Sequence, residues 1–210
     1  MSGGPGRFIT LEGGEGVGKS TQARTLQEAL KTRGINALLT REPGGSGGAE
    51  MIRELLLSGD EERWNIRTEA LLFAAARADH IRRTIKPALA VGRWVICDRF
   101  IDSSRAYQGG AGLVSDEDIL ALHDFGSRGL MPDRTILLTL PVDEAAERIR
   151  KRDGDVSDRI GSRSEDYHLE VASAFLTIAQ AEKDRIRMVD ASGAVEQVSA
   201  RVLAAVSDLL

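Results

Sequence analysis

Residues 13–20 read Gly13-Gly14-Glu15-Gly16-Val17-Gly18-Lys19-Ser20, a Gly-x4-Gly-Lys-Ser spacing. Glycines at the tight points let consecutive backbone N–H groups turn inward around a phosphate, which a Cβ would obstruct. Lys19 then supplies a point charge to the outer phosphates and Ser20 a hydroxyl to Mg²⁺, while the helix starting there points its positive end at the same anion. The flanks fit this reading. Residues 7–12 form a short β-rich run, and 19–33 carry helical apolar spacing at Ala23, Leu26, Ala29 and Leu30. A chance Gly-rich turn would not need that strand and helix. A dinucleotide fingerprint fails, because Gly14-x-Gly16 is followed three places later by Lys19 instead of Gly or Ala. The stretch therefore implies a nucleotide donor and phosphoryl-transfer chemistry, with residues 13–20 and Thr21 as the nucleotide-binding set.

Strands and helices alternate on both sides of it. Gly34 closes the first helix, 35–40 reads as a strand, and Pro43-Gly44-Gly45-Ser46-Gly47-Gly48 breaks the chain before a helix ending at Leu57. A long Ala-rich helix is expected over 66–91, bent near Pro87. Residues 94–97 and 135–140 are continuous apolar runs, the pattern of parallel strands covered on both faces. Further helices are expected at 116–128, 142–152, 165–184 and 194–210, and a last strand at 186–189. This alternation predicts an α/β protein with the three-layer P-loop NTPase fold, a mainly parallel sheet of about five strands flanked by helices.

The chain has 210 residues, which suits one domain with a full core, and shows no internal repeat and no linker. Residues 1–6 read as a flexible leader and 7–210 as a single domain. Net charge is −4, from 28 Lys plus Arg against 32 Asp plus Glu, so a generic polyanion surface and a nucleic-acid partner are disfavoured. No run approaches the ~18 apolar residues of a membrane span. The single cysteine, Cys97, cannot form an intrachain disulfide and fits a reducing compartment, so the expected location is cytoplasmic.

Trp94-Val95-Ile96-Cys97 delivers Asp98 to a strand end, where open α/β sheets face their ligand crevice. Asp98 there either holds Mg²⁺ through water, together with Ser20, or simply begins a surface loop. His80, His123 and His168 are scattered, sit in no nucleophile motif, and read as surface or packing residues. No Asn-Lys-x-Asp guanine-recognition string occurs.

The phosphate loop, Thr40-Arg41-Glu42-Pro43-Gly44-Gly45, Asp98-Arg99-Phe100 and Tyr107-Gln108-Gly109-Gly110 follow one another in order, and with them nearly the whole chain resembles bacterial thymidylate kinases. Each motif alone is weak; their order and spacing are specific. The resemblance implies transfer of the ATP γ-phosphoryl group to dTMP, giving dTDP for dTTP synthesis, with Mg²⁺, on a five-stranded parallel core in a homodimer. A phosphate acceptor is already anionic, so no general base is needed and catalysis rests on positioning and charge neutralisation. Two alternatives remain on the residues alone. One is another P-loop nucleoside monophosphate or deoxynucleoside kinase; the other is a nucleotide-dependent switch.

By resemblance, Arg99 grips the acceptor phosphate and bridges toward the donor, a task suited to an always-charged bidentate guanidinium. Glu15 approaches the sugar 3′-hydroxyl and acceptor phosphate. Phe73 and Arg77, one helical turn apart, stack on the base and bond a ring oxygen, although on residue type Phe73 is equally a core aromatic. Ser104 and Gln108 share that spacing and resemble positions near the base, and Tyr107 resembles the residue under the sugar that disfavours a ribose 2′-hydroxyl. Pro43 belongs to a turn beside the acceptor site, with a peptide isomer the sequence leaves open, and Arg53 is a further acceptor-phosphate contact or a solvated helix charge. Residues 148–163 read as a mobile lid rich in arginine. One branch of the family places an arginine in the phosphate loop where this chain has Gly16, so the lid must supply it. Arg159 and Arg152 are the candidates, Arg159 favoured, completing a catalytic set with Lys19 and Arg99.

Overall fold

A computed structural model describes residues 5–111, 114–153 and 159–210, the side chains of residues 61 and 151–153 excepted. Most of the expected leader, the centre of the expected lid and the side chain of Arg152 lie outside the described residues.

Five strands, β1 (Phe8–Glu12), β2 (Ala37–Arg41), β3 (Trp94–Asp98), β4 (Arg134–Thr139) and β5 (Ile186–Asp190), pair in the order β2-β3-β1-β4-β5, all parallel. Every residue of β1 and the first five of β4 are buried, as continuous apolar runs require of strands covered on both faces. Side chains alternate between two cores. Ile9 and Leu11 pack under α1 (Lys19–Lys31) and α9 (Val195–Ala204) with Leu26, Leu30, Val198 and Val202. Phe8 faces the opposite layer with Ile81, Ile85, Phe100, Ile101 and Ile119. That layer is built from α3 (Ile66–His80), α4 (Lys86–Ala90), α5 (Ile101–Ser104) and α6 (Asp116–Ser127), with α2 (Gly47–Leu57) packed on α3. After β4 come α7 (Val142–Asp153) and α8 (Glu165–Ala181), and a third cluster joins Val171, Phe175 and Ile178 of α8 to Leu137 and Tyr107. The expected three-layer fold is present.

Register places the site. Leu11 pairs with Asp98 and Arg41 also pairs with Asp98, so β1, β2 and β3 end level at one edge of the sheet. The chain leaves β1 where later strands are added to opposite sides, the crevice position of open α/β sheets.

Local corrections have local causes. The helix expected over 66–91 is distorted at a π-helical turn, Ile81–Ile85, ahead of Pro87. Proline lacks the N–H that would bond the carbonyl four residues back and its ring crowds that carbonyl, which widens the turn before it. The helix expected to 184 ends at Ala181, where the Glu182 backbone leaves the helical region (φ −122°, ψ 47°). The helix expected to 210 ends at Ala204. Two elements without a sequence expectation, α5 and the π-helical turn Arg105–Gly110, carry Ser103, Ser104, Tyr107 and Gln108 past the strand ends.

Candidate active site

The residues between β1 and α1 form a loop with left-handed backbone at Gly13, Gly16 and Gly18 (φ +134°, +73° and +92°). Val17 anchors it, its side chain buried in the core beneath α1. No side chain caps α1 at Gly18, so its first N–H groups are available to an anion. The Lys19 ammonium folds back onto the loop and donates to the carbonyls of Gly13 at 3.2 Å and Gly14 at 2.5 Å. Burial, reinforced by the nearby Arg99 charge, lowers its pKa to about 8. Thr21 is exposed on α1. At Gly16, itself at positive φ, a Cβ would lie 2.5 Å from the Ala145 carbonyl and 2.9 Å from Ile149, so the approach of α7 leaves no room there for a side chain.

One cleft opens from this loop across the strand ends. Its walls include Glu15, Lys19, Ser20, Pro43, Arg53, Phe73, Arg77, Asp98, Arg99, Ser104, Tyr107 and Gln108, so the structure gathers nearly all the side chains expected at the acceptor and metal positions. Arg99 stands at the centre. Its guanidinium donates to the Gly13 carbonyl at 3.0 Å, Glu15 at 3.3 Å, Tyr107 Oη at 3.2 Å and Ser103 Oγ at 3.2 Å, and lies 5.0 Å from the Tyr107 ring. It thus touches the glycine loop and the opposite wall of the cleft at once. Arg99 is a non-glycine residue at φ +68°, a sparsely populated conformation that a surrounding structure must enforce.

Arg77 is buried and charge-paired. Nε donates to Glu42 Oε2 at 2.8 Å and Nη2 to Ser104 Oγ at 2.8 Å, over the Phe100 ring. The other Glu42 oxygen accepts His80 Nδ1–H at 2.9 Å, and His80 Nε2 meets Thr40 Oγ1 at 2.8 Å. These bonds assign the Nδ1–H tautomer to His80. The Glu42–Pro43 peptide is cis, and Arg53 donates to the Pro43 carbonyl at 2.8 Å. Phe73 lines the cleft and also packs at the edge of the α8 core.

Sequence reading missed the carboxylates beneath these groups. Glu69, fully buried on α3, accepts Gln108 Nε2 at 2.9 Å on one oxygen and Arg159 at 2.5 Å and Arg163 at 2.7 Å on the other. Spacing could have found it, since Glu69, Phe73 and Arg77 lie four apart on one helix face. Arg159 also donates to the Leu56 carbonyl; it is buried and does not line the cleft, although its neighbour Ile160 does. Arg163 stacks on Tyr167, which donates to the Tyr107 carbonyl at 2.8 Å. Glu12, at the end of β1, accepts Phe100 N–H and the Ser103 hydroxyl. Burial first, then the charge of Asp102, pushes its pKa up to about 7. The strand-end argument used for Asp98 applies equally to Glu12. Asp102 is itself held by Arg185, Arg105 and Thr135, a buried network that fixes α5 against β4.

A glycine loop between β1 and α1, with a carboxylate at the end of the adjacent strand, defines a phosphate-loop nucleotide-binding protein. The comparisons narrow the class: the family model described as Thymidylate kinase matches residues 11–202. A protein named thymidylate kinase from Rhizorhabdus wittichii is 59% identical over 206 residues, 98% of this chain and 99% of that protein. Proteins of the same name from Rhodopseudomonas palustris and a Bradyrhizobium species are 47% and 46% identical over 98% and 99% of this chain, and 90% and 92% of their own lengths. The chain belongs to the thymidylate kinase family. Among the described residues no helix is long and apolar enough to cross a membrane.

Proposed function

We propose that this protein transfers the γ-phosphoryl group of ATP to the phosphate of dTMP, forming dTDP. The observation that carries this reading is the position of Arg99, bonded both to the Gly13 carbonyl of the donor loop and to Tyr107 of the acceptor wall. The loop N–H groups and Lys19 bind the donor phosphates, and Arg99, with Arg53, binds the acceptor phosphate. Glu15 marks the sugar side. Phe73 covers one face of the base, while Arg77, Ser104 and Gln108 read its polar edge and Tyr107 lies under the sugar. Held in line in this way, an anionic acceptor attacks without a general base.

The residues present fit Mg²⁺. Ser20 Oγ lies 2.5 Å from Asp98 Oδ2, which sets a hydroxyl beside a carboxylate at the mouth of the loop. Among the described residues no group of three metal-ligating side chains exists, in keeping with a hard cation held by one or two protein oxygens, phosphates and water. Bound there, the ion would neutralise charge on the donor phosphates. Ser20 would ligate directly and Asp98 through water.

The remaining positive charge is assigned to the lid over 148–163, within the single domain 7–210. Arg159 is the arginine it supplies, with Arg152 second, and delivery requires Arg159 to leave Glu69 for the cleft. Exposed Met51 and Leu55 on α2, Leu71 on α3 and Phe125 on α6, the last 92% accessible, offer an apolar face for a homodimer. Light scattering of wild type and Phe125→Glu would test that state, a dimer and a monomer being expected. We place the protein in the cytoplasm, consistent with a single, buried cysteine, Cys97.

Initial rates of ADP formation with Mg-ATP and a panel of dTMP, dUMP, AMP, CMP, UMP, GMP and thymidine test the acceptor. Preference for dTMP is expected; faster turnover of any other acceptor would reject the assignment.

A further inference from the structure

We propose that Glu12 is a positioning residue for Arg99, its buried carboxylate fixing the turn that holds Arg99 in its left-handed conformation, and that turnover requires this carboxylate to be ionised. The inference rests on the reading of Arg99 as the residue bridging donor and acceptor.

The geometry is closed on both sides of Arg99. Its own N–H donates to the Leu11 carbonyl at 2.9 Å, and the next N–H, of Phe100, donates to Glu12 Oε1 at 2.7 Å. Two consecutive amides of the turn after β3 are therefore pinned by two consecutive residues of β1. Glu12 Oε2 accepts the Ser103 hydroxyl at 2.6 Å, and that hydroxyl oxygen accepts Arg99 Nη1 at 3.2 Å. One carboxylate thus fixes Arg99 at its backbone and, through Ser103, at its guanidinium. A left-handed backbone at arginine is unfavourable and persists only where neighbours over-determine it. Glu12 and Leu11 are those neighbours.

The groups facing Glu12 set its charge. Asp102 on α5 and complete burial oppose ionisation, placing the titration at about 7, and Arg99 and the hydrogen bonds from Ser103 and Phe100 favour it. Lys19 on α1, Cys97 on β3 and Tyr107 complete the surrounding titratable set. A proton on Glu12 removes the negative charge that Arg99 faces. It also turns one acceptor oxygen into a donor, against an amide and a hydroxyl that are both already donating to it.

Glu12→Gln keeps the shape and most hydrogen-bonding capacity and removes the charge. The test is the ratio of wild-type to variant kcat/KM for the acceptor with Mg-ATP between pH 5.5 and 9, a ratio from which substrate phosphate ionisation cancels. The expected ratio is roughly 10-fold to 100-fold at pH 8, the scale of a misplaced catalytic group, falling toward unity below pH 6 as wild-type Glu12 gains its proton. A ratio independent of pH would overturn the proposal and leave Glu12 a structural residue. Ser103→Ala is the second variant, for use also if Glu12→Gln does not fold. Loss of a donor that favours the ionised form should move the acid limb of the profile to higher pH, and an unmoved limb would count against the proposal. The profile is run with whichever acceptor turns over, so a failed acceptor assignment remains distinguishable from a failed role for Glu12.

Discussion

The Ser20 hydroxyl donates to the Asp98 carboxylate at 2.5 Å, tying the first residues of α1 to the end of β3. A hydrogen bond onto an ionised acceptor is among the strong ones, and here it sets two oxygens from different elements side by side at the phosphate loop. Asp98→Asn keeps the acceptor for Ser20 and removes the charge. The variant should need roughly 10-fold to 100-fold more Mg²⁺ for half-maximal activity, the scale on which outer-sphere partners act. A magnesium titration of initial rate measures it.

Lys19 is buried against its own loop carbonyls, with a pKa lowered to about 8. Donor phosphates favour the charged ammonium, so ATP binding at pH 8.5, where about a quarter of Lys19 is already protonated, should be accompanied by uptake of up to roughly three-quarters of a proton. Calorimetry in two buffers of different ionisation enthalpy reads this number directly. Lys19→Ala should abolish the uptake and lower turnover by roughly 10² or more, with the thermal transition retained.

Arg159→Ala should lower kcat by about 10³ with little change in KM for dTMP, the pattern of an interaction made only in the transition state. Steady-state kinetics in both substrates separate the alternatives. A rise in KM for dTMP with kcat preserved would move Arg159 to the acceptor side, where its present partner Glu69 also holds Gln108.

Two buried groups give opposite pH dependences of stability. Glu12 titrates at about 7 in the folded protein against 4.5 ordinarily, so the folded state holds its proton more tightly. Its contribution to stability is full below about 4.5 and is lost as pH rises through 7. Burial, with the charge of Arg77 adding, lowers the pKa of His123 from 6.5 to about 4, so the unfolded state binds the proton and this group costs stability as pH falls from 6.5 toward 4. Thermal melts should therefore show Glu12→Gln at least as stable as wild type at pH 8, where it is expected to be the poorer enzyme. His123→Asn should flatten the acid side of the stability curve.

The sheet and the loop were legible because their signals are local: a continuous apolar strand and a glycine spacing each lie within a short window and place Asp98 and Lys19. The acceptor-side residues, Phe73 and Arg77 among them, came from the resemblance carried by the ordered motifs, since a four-residue helical spacing by itself leaves Phe73 equally a core aromatic. The carboxylates that hold the cleft were legible only in part. Glu69 shares the helix face of Phe73 and Arg77, and Glu12 ends β1 as Asp98 ends β3, but the burial of Glu42, Glu69 and Glu12 and their partners 35, 39 and 88 residues away appear only once the chain folds. The need for glycine at position 16 also required the fold, since the element that a Cβ there would meet is α7, far along the chain. Proline did signal the distortion before α4, but at the wrong residue, because its effect falls on the preceding turn.

The most direct test of the central claim follows the phosphorus atom. Purified protein, Mg²⁺, γ-labelled ATP and unlabelled dTMP should yield dTDP carrying the label at its β-phosphate, in step with ADP formation. Label released only as inorganic phosphate while dTMP stays unchanged would contradict the account.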